Sequence, residues 1–466
     1  MSTTITTSSA SRSIFNEQID AVNACLSLGV AGTVTGVSGM TIEAADLPLP
    51  LGSTCVIRSH AKRTARAEVI GFTNDRTLLM PLAGMEGVAR GDRVELESSH
   101  PRIVCSDAML GRIINGLGET IDSLGPLPPG RAMRIDAKSV APMSRVNIRE
   151  PIYTGIRAID ALLTCGLGQR MGIFAGPGVG KSTLMSSIAK NTSADISVVA
   201  LIGERGREVQ EFIEHALGPE GLKRCVMIVS TSDETPLLKV RAAKVACTIA
   251  EYFRDRGKHV LLMMDSITRL AQAQRQIGLA AREPPATRGF PPSVFALLPV
   301  ILERAGKIES GSITGFYTVL VEGDDFNEPI PDAVKGITDG HLLLSRQLAN
   351  QDHWPALDVL QSISRVRSDV SPRERVEKAR KILKLIAGYK EIEDLVNIGA
   401  YVAGQNEEAD LAFQSRSAIL KFLKQDTSVA LKPEETIEQH DELCVAVDLL
   451  LRQIQQKSAG RMPPTK

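Results

Sequence analysis

The chain has 466 residues, of which 43% are hydrophobic, and its 54 basic and 54 acidic side chains give a formal net charge of zero at pH 7. This length predicts two or three domains with substantial hydrophobic cores. The balanced charge excludes nucleic-acid binding driven by bulk electrostatics and leaves room only for a local basic stripe.

Membrane insertion and a disulfide framework are excluded on similar grounds. The apolar runs fall short of the ~18 residues that span a bilayer, and the first residues lack the apolar segment of a secretory signal. The seven cysteines are far apart and form no C-x-x-C pair. We therefore expect reduced, mostly buried thiols in a soluble cytosolic protein, and such a protein can still dock on a membrane machine.

Residues 1–28 are predicted to comprise a disordered tail and an amphipathic arm. The polar start MSTTITTSSASRS has too few apolar side chains to fold alone. Phe15, Ile19, Val22 and Leu26 then recur at helical spacing, and Gly29 suits the helix end. The helix either packs on its own domain or binds a partner, and the pattern leaves both interpretations open.

A small β-barrel is predicted for residues 29–100. Short alternating runs lie between turn residues, namely GTVTGVSGMTIEA, GSTCVIRS, ARAEVIGF, RTLLMPL and GDRVELE. Strands of this length, separated by Gly, Asn and Asp, are typical of such barrels. The barrel is either a binding module or a collar for assembly.

An α/β domain with a mostly parallel sheet is predicted for residues 101–370. Apolar runs suited to strands alternate there with helix-like segments, and these runs are RMGIFAG, ISVVALIG, CVMIVST, VLLMMD, FYTVLVEG, HLLLS and LDVL. Unbroken runs of this kind suit strands that helices cover on both faces. The apolar spacing of residues 371–456 follows a 3.6-residue period and predicts a helical C-terminal domain, followed by a polar tail at 457–466.

The stretch AGPGVGKST, residues 175–183, matches the phosphate-binding loop pattern, with Ala175 where the strict form has Gly. A strand-like run precedes it and a helix-like run follows it, as the motif requires. Its three glycines allow backbone N–H groups to turn inward around phosphate oxygens at a helix N-terminus. Lys181 adds a cation at the β- and γ-phosphates, and the Ser182 hydroxyl suits Mg²⁺. The motif therefore predicts a nucleotide site.

Two carboxylates end neighbouring apolar runs of the same domain. Asp265 ends HVLLMMD, where an acid can hold the metal or its water. Glu204 ends VVALIGE and should face the same crevice as Lys181, because ligands gather at the carboxyl ends of parallel strands. There Glu204 can polarise a water for attack on the γ-phosphate, so hydrolysis depends on this residue. The alternative is a surface ion pair between Glu204 and Arg205 or Arg207.

Arg365 and Arg367 follow the predicted strand LDVL. An arginine can stabilise charge on a transferring phosphoryl group, and it often comes from a neighbouring subunit. Taken alone, two arginines near a domain end are more typical of a solvated surface.

Nearly the whole chain after residue 30 resembles the export ATPases of the flagellar and type III secretion systems, which are homologues of the catalytic subunits of rotary ATP synthases. The resemblance rests on GIRAIDALLTCGLGQRMGIFAGPGVGKSTL, LIGERGREVQEFIE, LLMMDSITRLAQAQRQIGLA, EPPATRGFPPSVFALLP, FYTVLVEGDDFNEPIPD, DGHLLLSRQLA and LVNIGAYVAG. It implies a homohexameric ring with a barrel collar, a RecA-like core and a helical C-terminal domain.

The resemblance also implies roles for individual residues. Arg365 matches the arginine finger that reaches the adjacent subunit's site, and Arg205 and Arg269 are supporting contacts beside the catalytic Lys181 and Glu204. Trp354, the only tryptophan, falls where similar proteins stack an aromatic ring on adenine, although a core role stays open. The nucleotide-binding residues are then Ala175, Gly176, Pro177, Gly178, Val179, Gly180, Lys181, Ser182, Thr183 and Trp354, and the Mg²⁺ ligands are Ser182 and Asp265.

The stretch REPPATRGFPPSVFALLP, residues 282–299, should begin as a stiff loop, because proline fixes φ and removes a backbone donor. In similar ring ATPases this segment lies near the central channel, where it meets a coiled-coil stalk or the exported chain. Arg282, Glu283 and Arg288 would then be channel-facing charges. Similar proteins usually have Gly at position 282 and Tyr at position 290.

The resemblance implies Mg²⁺-dependent ATP hydrolysis at the cytoplasmic base of a bacterial export apparatus, peripheral to the inner membrane. Hydrolysis would drive chaperone release, substrate unfolding and delivery to the export gate. A stator-like regulator would bind the N-terminal arm, although the apolar spacing of the arm also permits binding to lipid. The forms GPGVGKS, EPPAT and NEPI favour flagellar export, whereas DALLTCGLGQ and MGIFAG are closer to the secretion branch.

Three other functions stay open. One is a nucleotide-binding subunit of a rotary proton-translocating ATPase, which AYVAGQNEEADLAF argues against. Another is a hexameric RNA translocase, against which stand the neutral charge and the lack of an aromatic-plus-basic platform, so we expect no nucleic-acid partner. The third is a scaffold that binds ATP without hydrolysis, and Glu204 opposes it.

Overall fold

The computed structural model describes residues 30–59, 64–321, 323, 326–426, 429 and 431–459. The disordered tail and the amphipathic arm predicted for residues 1–28, with their apolar positions Phe15, Ile19, Val22 and Leu26, lie outside the described residues, as does Cys25. Residues 460–466 of the predicted polar tail also lie outside them. The other six cysteines are buried free thiols, as expected from their spacing.

The first domain is the predicted barrel, built from six antiparallel strands. Alternate side chains point inward along these strands, so a small apolar core forms from residues such as Ile42, Leu79 and Val94. Hydrogen bonds close the barrel in the order β1-β2-β5-β4-β3-β6. The strands are β1 (Ala31–Ser38), β2 (Thr41–Ala45), β3 (Thr54–Arg58), β4 (Thr64–Thr73), β5 (Arg76–Pro81) and β6 (Arg93–Ser98).

The central domain contains a nine-stranded, mostly parallel sheet, as the unbroken apolar runs predicted. Its order is β19-β18-β12-β17-β15-β13-β14-β8, and β16 pairs with β17. Small two-stranded sheets join β7 to β9 and β10 to β11. The strands are β7 (Arg102–Cys105), β8 (Ile113–Asn115), β9 (Arg131–Arg134), β10 (Pro151–Ile152), β11 (Cys165–Gly166), β12 (Arg170–Ala175), β13 (Ile196–Glu204), β14 (Cys225–Thr231), β15 (His259–Asp265), β16 (Gly306–Lys307), β17 (Ser312–Leu320), β18 (Gly340–Leu343) and β19 (Ile363–Ser364).

Helices cover both faces of this sheet, and three further helices form the C-terminal domain. The α-helices of the central domain are α1 (Arg157–Leu162), α2 (Lys181–Asn191), α3 (Gly206–Glu211), α4 (Gly218–Lys223), α5 (Pro236–Arg254), α6 (Ile267–Ala280), α7 (Pro292–Leu302), α8 (Pro329–Ile337), α9 (Arg346–Asn350) and α10 (Arg367–Val370). The C-terminal domain consists of α11 (Arg373–Asn397), α12 (Glu407–Leu423) and α13 (Pro433–Ala459). Short 3-10 helices span Asp107–Met109, Pro142–Ser144 and Thr287–Gly289, and a π-helix spans Phe212–Leu217.

The C-terminal helices share one apolar core with a face of the central sheet. Ile382, Phe422 and Val447 belong to the same buried cluster as Met185 and Ile188 of α2. All three C-terminal helices pack on α1 (Arg157–Leu162), and through this core they are continuous with the helix that begins at the phosphate-binding loop. In the part of the chain that the structure describes, no helix has the length and apolar character needed to cross a membrane.

The strand predicted at LDVL, residues 357–360, is wrong. Only Leu357 makes a β-bridge, to Leu344. The Asp358 carboxylate accepts hydrogen bonds from the backbone N–H groups of Leu360 and Gln361, at 3.0 and 3.1 Å, and so closes a turn. A side chain that satisfies nearby backbone donors competes with sheet pairing, and the apolar pattern does not reveal this competition.

The proline-rich segment starts as a loop and then becomes α7, with Pro292 at the first helical position. Arg282 lies two residues beyond the end of α6, with a left-handed φ of 66°, and forms an ion pair of 2.9 Å with Glu43 of the barrel. Glu283 accepts a hydrogen bond of 2.8 Å from the backbone N–H of Ser293. Arg282 and Glu283, which were expected to face a channel, are thus held by contacts within the chain.

Candidate functional site

Three strand ends meet at one edge of the central sheet. Strands β12, β15 and β13 run parallel and end at Ala175, Asp265 and Glu204. Because the carboxyl ends of parallel strands face the same way, the loops that follow them converge. The loop after β12 leads directly into α2, so the backbone N–H groups of this helix start point into the crevice.

The phosphate-binding loop lines a cavity of about 930 Å³. Gly178 and Gly180 have φ values of 76° and 83°, in the left-handed region that favours glycine. Seven of the predicted nucleotide-binding residues of this loop contribute to the lining, namely Gly176, Pro177, Gly178, Gly180, Lys181, Ser182 and Thr183. The side chains of Ala175 and Val179 are instead buried in the core beneath the loop, so only their backbone can serve the predicted role.

Lys181 lies between the two predicted carboxylates. Its Nζ is 2.5 Å from Oδ1 of Asp265 and 3.6 Å from Oε1 of Glu204. Asp265 is only 4% exposed, and the Thr318 hydroxyl donates a hydrogen bond of 2.8 Å to the same Oδ1. The structure thus brings Lys181, Glu204 and Asp265 together, and it adds Thr318 of β17, which no sequence motif marks.

The carboxyl group of Glu204 has a raised pKa. Burial raises its pKa to about 7, and the neighbouring Asp265 charge adds to the increase. Its Oε1 is buried and has no hydrogen-bond partner. The surface ion pair considered from the sequence does not form, because Arg205 and Arg207 approach Glu208 and Glu211 instead. A carboxyl group with this pKa can accept a proton near neutral pH.

Glu204 and Asp265 also border a second cavity of about 410 Å³, which adjoins the first and shares Ser182, Thr183, Glu204 and Glu208 with it. A hydroxyl and a buried carboxylate in one wall supply the hard oxygen donors that Mg²⁺ prefers. No group of three or more His, Cys, Asp or Glu side chains among the described residues could hold a metal alone. The donor set fits Mg²⁺ that arrives with phosphate oxygens.

Arginine and lysine side chains also line the larger cavity. Arg205 and Arg269 both line it, and Arg269 also donates a hydrogen bond of 3.2 Å to Gln272. Lys239 and Glu208 line the cavity as well, and sequence reasoning missed them. Burial lowers the pKa of Lys239, which donates a hydrogen bond to the Ser232 carbonyl. Glu208 lies four residues after Glu204, and this spacing could have marked it.

Trp354 closes the cavity over the phosphate-binding loop. A Cβ atom placed on Gly180 would be 2.7 Å from the Trp354 ring, so the indole packs directly on this glycine. The ring is 37% exposed, and its Nε1 donates a hydrogen bond of 2.8 Å to Asp352. A half-open aromatic face beside a phosphate-binding loop can stack on a base.

Arg365 is the one predicted catalytic residue that lies away from this cluster. It follows β19, which runs antiparallel to β18, so it lies at the amino end of the parallel strands and not at the carboxyl end. Its backbone N–H bonds to Asp339, and its side chain is exposed. Arg367 turns inward and donates a hydrogen bond of 2.9 Å to the Leu162 carbonyl. Within one chain, Arg365 therefore does not join Lys181.

The three parts of the chain match three family descriptions. Residues 34–96 match the β-barrel domain of the ATP synthase alpha/beta family, and residues 155–364 match its nucleotide-binding domain. Residues 371–441 match the C-terminal domain of the type III secretion ATPase EscN.

Two individual relatives are similar in sequence to most of the chain. A flagellum-specific ATP synthase from Bacillus subtilis is 49% identical over 409 residues, which are 87% of this chain and 93% of the relative. A type 3 secretion system ATPase from Xanthomonas euvesicatoria is 48% identical over 408 residues, which are 87% and 92% of the two chains.

Solved structures give the same result. The assembled ATPase EscN from the type III secretion system of enteropathogenic E. coli superposes with a TM-score of 0.84 at 45% identity, over 89% of this chain and 100% of that one. The assembled EscN in complex with its central stalk EscO gives a TM-score of 0.82 at 44% identity, with the same coverage.

Proposed function

This chain belongs to the ATPases of the flagellar and type III secretion systems, a branch of the ATP synthase alpha/beta family, and we propose that it hydrolyses ATP as a homohexameric ring to energise protein export. The observation that carries the proposal is the placement of Lys181 between Glu204 and Asp265 beside the phosphate-binding loop. The match of residues 371–441 to the EscN C-terminal domain favours export over a rotary ATP synthase.

Each residue of the cluster has a separate role in the proposed hydrolysis. The N–H groups at the start of α2 hold the β- and γ-phosphates, and Lys181 moves from Asp265 toward the γ-phosphate when ATP enters. A water attacks the γ-phosphorus, the bond to the bridging oxygen of ADP breaks, and Glu204 accepts the proton of the water. Ser182 and Asp265 would hold Mg²⁺, which neutralises phosphate charge when bound.

Arg365 completes the site of the neighbouring subunit. It is exposed at the opposite end of the sheet from Lys181, so it can stabilise transition-state charge only in another copy of the chain. Trp354 stacks on the adenine, while Arg205 and Arg269 contact the phosphates from the cavity wall. The active site is then incomplete in a monomer.

The test is the Mg²⁺-ATPase rate per subunit as a function of protein concentration. We expect the specific rate to climb steeply with concentration, since assembly supplies Arg365. Arg365→Ala and Glu204→Gln should each lose at least about 100-fold in kcat and still bind ATP. The matched controls are Arg373→Ala and Glu220→Gln, whose side chains are 93% and 83% exposed in surface ion pairs.

Each unexpected result of this rate measurement would overturn a different part of the proposal. A flat specific rate together with a fully active Arg365→Ala would overturn the finger and the functional ring. Absence of hydrolysis at every concentration, with ATP binding intact, would favour the scaffold that binds ATP without hydrolysis. Equal losses in Arg373→Ala would point to a general effect of removing surface charge.

The stalk partner is proposed to meet the loop between α6 and α7. EscN assembles with a central stalk, EscO, and residues 284–288 of this chain are exposed at the loop tip. Charge reversal of Arg288 should weaken stalk binding and export. Unchanged stalk binding and export in Arg288→Glu would count against this placement.

The remaining assignments follow from the branch of the family. We propose cytoplasmic rings at the inner-membrane export gate that release chaperones and unfold substrates, with the N-terminal arm bound to a stator-like regulator. The forms GPGVGKS, EPPAT and NEPI support flagellar export, whereas DALLTCGLGQ and MGIFAG are closer to the secretion branch, and we propose the flagellar assignment. Deletion of the gene should then abolish motility and leave effector secretion intact, and the opposite result would assign the chain to virulence-type secretion.

A further inference from the structure

The C-terminal domain reaches the wall of the nucleotide cavity at Trp354. The Trp354 carbonyl accepts a hydrogen bond of 2.8 Å from the backbone N–H of Gln425. Gln425 follows the last turn of α12, which ends at Leu423. The residue that carries the indole is thus attached to a helix of a different domain.

The Gln425 side chain is buried, with 7% exposure, and both ends of its amide are used. Its Oε1 accepts a hydrogen bond of 2.8 Å from the backbone N–H of Arg157, and its Nε2 donates one of 2.8 Å to the Gly155 carbonyl. A buried amide bonded at both ends fixes the backbone on either side of it, because an unpaired polar group there costs free energy.

Gly155 and Trp354 contact opposite ends of the helix that starts at the phosphate-binding loop. A Cβ atom on Gly155 would be 2.5 Å from Cβ of Asn191, the last residue of α2. The Trp354 ring packs on Gly180, immediately before α2 begins. Gln425 therefore bonds to the two segments that hold the start and the end of α2.

We propose that Gln425 is a positioning residue that couples the C-terminal helical domain to nucleotide affinity. Its main chain sets the height of the Trp354 segment over the phosphate-binding loop, and its side chain anchors the segment behind α2. A displacement of α12 then moves the wall on which the base of the nucleotide rests, and bound nucleotide in turn restrains α12, because coupling between two sites is reciprocal. This inference rests on the proposed nucleotide site.

A second glutamine at the same interface offers a matched control. Gln439 of α13 accepts a hydrogen bond of 2.7 Å from the Arg157 guanidinium, which also donates to the Lys424 carbonyl. Gln439 thus binds the same neighbour across the same domain boundary, with its bond made to the Arg157 side chain and not to the segments that hold α2. Loss of the Gln439 side chain tests the effect of a loosened domain boundary. Loss of the Gln425 side chain tests the hydrogen bonds from Gln425 to Gly155 and Arg157, which we call the tether.

The experiment uses the full chain and measures the Kd of Mg-ADP by calorimetry, alongside the emission of Trp354, the single tryptophan. In Gln425→Ala we expect Kd to rise about 3- to 10-fold, kcat at saturating ATP to stay within about twofold, and the emission of the nucleotide-free protein to shift. Gln439→Ala should leave Kd and emission within about 1.5-fold of wild type. If Gln425→Ala does not fold, Gln425→Met, which keeps the size of the side chain, carries the same expectations.

The outcomes separate this inference from the proposed function. Wild-type protein that fails to bind Mg-ADP would overturn the nucleotide site and the tether with it. Normal binding by wild type, with the same Kd in Gln425→Ala, would overturn the tether alone. An equal rise of Kd in Gln439→Ala would also overturn it, because the effect would then belong to the whole domain boundary.

Discussion

Two clusters of buried charge lie in the same central domain and are built differently. Arg304 and Glu251 form one on the α5 side of the sheet, with exposures of 2% and 5%. Lys181, Glu204 and Asp265 form the other at the carboxyl edge. Both clusters pair cations with carboxylates, and they differ in how completely their polar atoms are satisfied.

The Arg304 cluster is saturated with hydrogen bonds. Nε and Nη2 of Arg304 donate to the two carboxylate oxygens of Glu251 at 2.8 and 2.6 Å. The remaining donors reach the Ile135 and Lys244 carbonyls and the Thr248 hydroxyl. This bidentate geometry offsets the desolvation of both charges.

The Lys181 cluster is left incomplete. Two carboxylates share one ammonium group, and Oε1 of Glu204 is buried without a hydrogen-bond partner. An unsatisfied buried acceptor costs free energy unless a ligand completes it. A charge pair with all its hydrogen bonds made stabilises the fold, whereas an unpaired buried acceptor beside a cavity is available to a ligand.

Removal of Arg304 tests the cluster whose hydrogen bonds are all made, and we expect it to cause the largest loss of stability. Arg304→Met leaves Glu251 as an unpaired buried carboxylate, so we expect the free energy of unfolding to fall by about 3–5 kcal/mol. Chemical denaturation measures it. The double variant Arg304→Met with Glu251→Leu should recover most of the loss, since no buried charge remains. If the double variant is no more stable than the single one, lost packing and not charge explains the effect.

Neutralising Glu204 should stabilise the nucleotide-free protein. Its folded pKa of about 7 lies above the ordinary 4.5, mainly because of burial. The folded state therefore binds the proton more tightly, and ionisation of Glu204 penalises folding. The penalty is absent below pH 4.5, grows between pH 4.5 and 7, and is complete above 7. We expect Glu204→Gln to raise the free energy of unfolding by about 1–3 kcal/mol at pH 8 and by nothing at pH 4.

Thermal unfolding of wild type, Glu204→Gln and the exposed control Glu220→Gln across this pH range measures that difference. A gain that does not change with pH would mean that the ionisation of Glu204 is not its source. A loss of stability at pH 8 would show that the carboxylate is a structural partner of Lys181, like the carboxylate of Glu251 beside Arg304.

The pH dependence of catalysis should follow the same group. Since kcat/KM reports ionisation in the free enzyme, we expect it to fall about tenfold per unit below pH 7, where Glu204 becomes protonated. Glu208 also raises the pKa of Glu204, so Glu208→Gln should move the inflection to lower pH, whereas Glu220→Gln should leave it in place. A profile that is flat from pH 5.5 to 8 would contradict a proton-accepting role for Glu204.

The three charged residues of the Lys181 cluster could be predicted from the sequence. Lys181, Glu204 and Asp265 each end or follow an apolar run, and parallel strands bring their ends to one edge, so their meeting was predictable. The barrel, the parallel sheet and the helical domain followed from the apolar period in the same way. Arg365 was assigned by resemblance to the family, and its role stays a prediction.

The groups that sequence reasoning missed contact the site from distant parts of the chain. No motif marks Lys239 or Thr318 as a site residue. Each side chain reaches the site because its helix or strand lies beside the carboxyl edge of the central sheet. Arg282 pairs with Glu43, 239 positions away, so no local pattern could place it. The strand predicted at residues 357–360 failed for the opposite reason. There a local contact decided the structure, because the Asp358 side chain bonds to nearby backbone N–H groups and forms a turn.

Replacement of Thr318 should have the smallest effect, because it removes one of the two hydrogen bonds that Oδ1 of Asp265 accepts. Thr318→Val keeps the shape of a fully buried side chain and removes the hydroxyl that donates to Oδ1 of Asp265 at 2.8 Å. A net hydrogen bond of about 1 kcal/mol corresponds to a fall in kcat/KM of roughly fivefold. Thr314→Val is the matched control, because Thr314 is buried on the same strand and accepts a hydrogen bond from Gly168, away from the site. We expect both variants to lose similar stability and only Thr318→Val to lose activity. If both retain full activity, Lys181 alone holds Asp265, and the cluster is even less saturated than its geometry indicates.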